Sequence, residues 1–167
     1  ADPTRCSAVA PDPTVSGSYL LPAATEENWL DFPHLFWTRW TLDGAVDAPA
    51  LTGALADVTQ RHEALRTVFD EVDGLPVQRI LTDVQPAVRV VEAAEGAEVA
   101  DAIADALRAP FDLRRDIPLR AHVVRTEEAT VLVVVLHHIT TDEWSDRPFL
   151  ADLLAAYNAR LAGEPSP

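Results

Sequence analysis

Residues 67–81 read TVFDEVDGLPVQRIL, from Thr67 to Leu81. Two runs rich in apolar and β-branched residues, 67–72 and 75–81, flank the dipeptide Asp73-Gly74. Asp-Gly accepts the left-handed backbone that a two-residue hairpin turn requires, so the stretch predicts an antiparallel hairpin. That hairpin argues against a purely parallel, doubly wound sheet and toward a mixed α+β layer domain. Upstream, Leu35–Leu42 (LFWTRWTL) is aromatic and β-branched and predicts a strand in which Trp37 and Trp40 anchor a core or an interface. Asp47 is placed to N-cap a helix over 48–62, with Pro49 in its first turn and Leu51, Leu55 and Val58 on one face.

The pattern continues downstream. Residues 87–91 predict a short strand. Val99, Ile103 and Leu107 line one face of a helix that Pro110 ends. Leu119–Arg125 and Val131–Ile139 predict strands, the second apolar enough to lie at the centre of a sheet. Leu150, Leu153, Leu154, Tyr157 and Leu161 form the stripe of a last helix over 148–161, stopped by Gly163. Ala23–Leu30 predicts a short helix. Pro3, Pro11 and Pro13 among small residues make 1–18 a linker or tail, 19–163 the folded unit and 164–167 the start of another linker.

Composition narrows the function classes. The chain has 167 residues, fitting one domain, and 48% of them are hydrophobic, enough for a core. Its 13 Lys+Arg, all arginine, against 27 Asp+Glu give a net charge of −14, contrary to nucleic-acid binding. One cysteine, Cys6, excludes an internal disulfide framework and a cysteine-rich zinc site. No apolar run approaches the roughly 18–20 residues a membrane span needs, and no signal peptide opens the chain. The expected setting is cytoplasmic. Opening on Ala1 without a methionine fits a piece of something larger.

One stretch carries chemistry: Val133 to Ser145, VVVLHHITTDEWS. His137 and His138 stand where a buried strand gives way to a polar turn. Successive strand residues point to opposite faces, so the two imidazoles serve different surroundings, one the interior and one a cleft. A neutral histidine there accepts a proton or holds an amine, whereas the plain reading is a packing pair. Asp142 is placed to pair with an arginine or orient an imidazole. Diverging histidines without cysteine or a third ligand at helical spacing predict no metal. No Gly-x-Ser-x-Gly surrounds a serine, against a serine hydrolase of that type. His34 and His122 read as surface or packing residues.

HHITTDEWS (137–145) resembles the HHxxxDG active-site motif of the condensation domains of nonribosomal peptide synthetases, which share the chloramphenicol acetyltransferase fold. RHEALRTVF (61–69) resembles that family's RHExLRTxF block, and FDEVDGLPVQRI follows as its hairpin does. APFDL (109–113) and PLRA (118–121) resemble its PFDL…PLRA stretch. LPAATEENW (21–29) is a degraded form of the N-terminal SPAQxRLW block, with Thr25 in place of glutamine and Trp29 at the tryptophan. The resemblance spans about 20–163.

The resemblance implies a two-layer α/β sandwich with a mixed sheet and helices on one face. It implies amide formation between a donor thioester and an acceptor amine, both held on the phosphopantetheine arms of upstream and downstream peptidyl carrier protein domains, with no cofactor bound directly. By motif position, His138 is the catalytic group, holding or deprotonating the amine. His137 packs, and Asp142 is structural, pairing with Arg61 or, second, Arg66. Glu143, Trp144 and Ser145 are tunnel-lining candidates. Glu143 stands where the family has glycine, which bears on acceptor choice or marks a branch of altered activity. An intact His138 speaks against members that recruit oxygenases and against heterocyclisation. A full domain is a pseudo-dimer, so this chain corresponds to its N-terminal, motif-bearing subdomain, inactive without the C-terminal condensation subdomain. The alternatives are a non-catalytic recruitment module, half of an epimerisation domain, or a coenzyme A acyltransferase of the same fold. Arg114, Arg115 and Arg147 are the expected carrier-docking arginines, against the overall negative field.

Overall fold

The computed structural model describes residues 17–20, 34–42, 46–73, 75–94, 96–142 and 144–166, the first four and residues 34 and 76 by backbone alone. In chain order the elements are β1 (Gly17–Leu20), β2 (His34–Leu42), α1 (Ala48–Arg61), a 3₁₀ turn (Glu63–Arg66), β3 (Thr67–Val72), β4 (Leu75–Ile80), β5 (Ala87–Glu92), α2 (Ala97–Arg108), β6 (Leu119–Arg125), β7 (Thr130–His137) and α3 (Asp146–Ala162). Five strands form one sheet in the order β1-β2-β7-β6-β5, in which only the β5–β6 pair is parallel. The hairpin predicted around Asp73-Gly74 is present as a separate two-stranded sheet, β3–β4, in register Val72↔Leu75 and Thr67↔Ile80. Asp73 sits at φ 53°, in the left-handed region that the turn demands.

Alternation along the strands separates two cores. Phe36, Trp40, Leu119, Val123, Leu132, Val134 and Leu136 face one side, where Leu51, Leu55 and Val58 of α1 and Phe149, Leu153 and Tyr157 of α3 cover them. Leu35, Trp37, Val124, Val131, Val133 and Val135 face the other, where Ala106 and the half-buried Val99, Ile103 and Leu107 of α2 cover them. Each fully buried Leu or Val stabilises the fold by about 1.5–3 kcal/mol before the entropy of ordering is set against it. β7 is third of five strands and buried at every residue, as its unbroken apolar run requires.

The expected α+β class with a mixed sheet holds, while the expectation of helices on one face holds only for α1 and α3. A crossover between parallel neighbours must run over a face of the sheet, and α2, linking β5 to β6, takes the face opposite α1 and α3. Boundaries shift as well. Gly17 and Ser18, expected in the tail, belong to β1 and pair with Trp37 and Phe36 of β2. β7 ends at His137, two residues early, because the Thr140 amide and hydroxyl both return to the His137 carbonyl. α3 begins at Asp146. The helix expected over 23–30, the block 21–29 and Cys6 lie outside the described residues.

Local chemistry fixes the frame. The Asp47 carboxylate accepts from the Ala50 amide at 2.8 Å and so caps α1, while the Tyr157 hydroxyl of α3 accepts from the Asp47 amide at 3.0 Å. Arg160 of α3 grips Asp57 of α1 with two nitrogens, at 2.6 and 2.7 Å. Arg66 donates to the carbonyls of Gln60 and Leu81, tying the end of α1 to the end of the hairpin.

Candidate active site at the end of β7

The end of β7 is built around His137. Its amide donates to Pro118 O at 3.0 Å, and its carbonyl accepts from the Thr140 amide and hydroxyl at 3.1 and 3.0 Å. Its ring is 5% exposed, stands edge-on to Phe111 at 6.2 Å, and accepts through Nδ1 from the Ile139 amide at 3.2 Å. The next residue turns outward. His138 is exposed, with its ring edge-on to Phe36 at 6.4 Å. The two histidines thus diverge, one sealed in and one presented.

Asp142 organises the following turn. Its carboxylate accepts from the Ser145 hydroxyl at 2.7 Å and the Trp144 amide at 3.1 Å, and its carbonyl accepts from the Ser145 amide. The Ser145 hydroxyl, foremost, holds the carboxyl below the ordinary carboxylate range, with the Trp144 amide adding to the effect. The expected ion pair of Asp142 with Arg61 or Arg66 is corrected here. Arg61 meets Asp152 of α3 at 3.4 Å, and Arg66 spends its donors on Gln60, Leu81 and Glu63. The Asp142 carboxylate is instead bonded within its own turn, by the Ser145 hydroxyl and the Trp144 amide.

Beside this turn lies a half-open cavity of about 280 Å³, walled by Leu65, Leu136, Pro148 and Phe149, with Thr140, Thr141, Asp142, Trp144 and Ser145 on its polar side. Trp144 and Ser145 line this cavity, while Glu143 lies outside the described residues. His138 is not among the cavity's walls. His62 is, and sequence reasoning passed it over. Its Nε2 is 2.7 Å from Asp152 Oδ2. The signal was available: His62 continues the stripe of Leu55 and Val58 by four residues, which turns it toward α3. Among the described residues no three His, Cys, Asp or Glu side chains gather as a metal ion would need, and no helix is long and apolar enough to cross a membrane.

A mixed-sheet α+β domain that ends its central strand on one buried and one presented histidine has the layout of the chloramphenicol acetyltransferase fold, and comparisons with known proteins place it within that fold. The family model for the condensation domain matches residues 38–167, and the chain belongs to that family. It is 47% identical over 123 residues to a probable nonribosomal peptide synthetase, CymA, of Salinispora arenicola (strain CNS-205), covering 73% of this chain and 2% of that protein. It is 44% identical over 127 residues to the isonitrile lipopeptide synthase of Mycobacterium tuberculosis (strain ATCC 25618 / H37Rv), covering 73% and 5%. Among solved structures, the complex of the X-domain and OxyB from teicoplanin biosynthesis aligns with a TM-score of 0.75 and 34% identity, over 86% of this chain and 31% of that one. The chain thus spans a small part of each of these proteins.

Proposed function

We propose that this chain is the motif-bearing N-terminal half of an amide-forming condensation domain working in the cytosol. The acceptor amine attacks the carbonyl of the donor thioester. A C–N bond forms, the C–S bond breaks, the thiolate leaves as the free thiol, and the amine sheds one proton. Donor and acceptor arrive on phosphopantetheine arms of upstream and downstream peptidyl carrier protein domains, and a C-terminal condensation subdomain forms the opposite wall. His138 holds the amine and receives its proton. His137, Asp142, Arg61 and Arg66 support the scaffold, and Trp144 and Ser145 line the approach. Positioning of two bound reactants supplies about 7–11 kcal/mol of such a barrier, so an orienting imidazole is a sufficient contribution from this half.

The observation that carries this reading is the divergence of the pair: a buried His137 anchors the turn on which an exposed His138 is presented. In the full domain with both carriers loaded, His138→Ala should lower the rate of product formation by about 10²–10⁴-fold, the range of lost acid–base assistance. An unchanged rate would remove His138 from the mechanism. The likeness to an X-domain solved with OxyB favours, as a second reading, a recruitment module. That reading requires unaltered partner binding in His138→Ala and no condensation by the wild type.

A further inference from the structure

We propose that Phe111 and Arg120 are positioning residues that act through the His137 ring on the turn presenting His138, an inference that rests on the role proposed above for His138. The chain of contacts starts at the turn. Ile139 N–H donates to His137 Nδ1 at 3.2 Å, so Nδ1 carries no proton and the neutral ring bears its hydrogen on Nε2. This bond spans His138, since donor and acceptor are the residues on either side of it. The peptide units that carry His138 are therefore pinned by the orientation of the His137 ring.

That orientation needs a wall. The Phe111 ring supplies it, edge-on at 6.2 Å and 86° to the imidazole. Phe111 belongs to an irregular segment after α2, where neighbouring backbone alone does not fix a side chain. Arg120 of β6 fixes it. Its guanidinium carbon lies 4.3 Å from the Phe111 ring centroid, and its nitrogens donate to the carbonyls of Ala106, Ala109 and Pro110. One planar group thus clamps the end of α2 and roofs the ring that stands against His137. A Lys could supply the charge but not the fork of donors.

The test uses the full condensation domain with ¹⁵N-labelled histidine and amide hydrogen exchange. The His137 ring should report a neutral Nε2–H tautomer. Phe111→Leu and Arg120→Gln should each speed exchange of the Ile139 amide by about tenfold or more. The amide of Val133, in the middle of β7, should be unaffected. Both variants should lower kcat while leaving KM for the loaded acceptor carrier in place. His137→Asn, whose Oδ1 can take the place of Nδ1, should keep the Ile139 amide protected, and His137→Leu should not. A His137 ring protonated on Nδ1, an Ile139 amide unchanged in both variants, or a Val133 amide that loosens in step with it would overturn the proposal. Should Arg120→Gln fail to fold, Phe111→Leu, a smaller change at a half-buried site, carries the same readouts. Ring state and amide exchange do not depend on turnover, so they remain valid if His138→Ala leaves the rate intact.

Discussion

His122 lies in β6 on the face that α2 covers, 8% exposed and paired with Arg89 of β5 across the parallel register. Burial, first, and then the charges of Arg120 and Arg89 push its pKa below the ordinary 6.5, with Asp105 opposing. The folded state therefore holds this proton less tightly than the unfolded chain. Above pH 6.5 both states are neutral and the group contributes no pH dependence. As pH falls below that value the unfolded chain gains the proton first, and stability declines until the folded pKa is passed. Chemical denaturation between pH 7.5 and 5 should show a falling midpoint, and His122→Gln should flatten part of that slope. A variant with the wild-type slope would show that His122 does not contribute. Asp142 makes a different kind of contribution, since it is exposed and, among the described residues, bonded only within its own turn. Asp142→Ala should reduce activity of the full domain while leaving its melting temperature close to wild type. Asp142→Asn, which keeps an acceptor oxygen for Ser145 and the Trp144 amide, should restore much of it. Loss of activity at this position thus reports turn geometry and does not place the carboxylate on substrate.

At the scale of elements, the helices rest on single residues whose effect can be weighed. Asp47 caps α1, so Asp47→Ala should destabilise by about 1 kcal/mol. Leu153 of α3 is 1% exposed against α1 and the sheet, and Leu153→Ala should cost about 2–5 kcal/mol, the larger value if the site cannot collapse. Urea unfolding separates the two, and equal losses would contradict the assignment of the core. The elements themselves were legible because their signals are local: 3.6-residue stripes, an N-cap, a Gly stop and one Asp-Gly turn. What escaped is decided by tertiary pairing. The stripe Val99-Ile103-Leu107 says that α2 buries a face, yet the side of the sheet it covers follows from β5 and β6 being parallel neighbours, which no local pattern encodes. The same holds at the site. A divergent histidine pair could be read from strand geometry, whereas the ion pair of Arg61 with Asp152 depends on how α3 packs on α1, which no local pattern shows.

For the whole molecule, the decisive feature is how open the presented histidine lies. His138 is exposed, Ile139 is 41% and Trp144 87% exposed, and all three border the motif turn. The thioester aminolysis proposed above would, in so open a setting, compete with water. Exposed large apolar groups beside the motif turn mark where another surface can lie, and the second wall proposed above would bury the indole while enclosing the imidazole. Two measurements follow from one cause. The isolated 167-residue chain should form no product from two loaded carrier proteins, and its Trp144 fluorescence, isolated by difference from Trp144→Phe, should be freely quenched by acrylamide. In the full domain the same difference signal should be protected. Product formed by the isolated chain would show that His138 and its own half suffice. A Trp144 signal equally quenched in both contexts would show that no wall closes over this turn, and the geometry would then favour a docking module over a condensation catalyst.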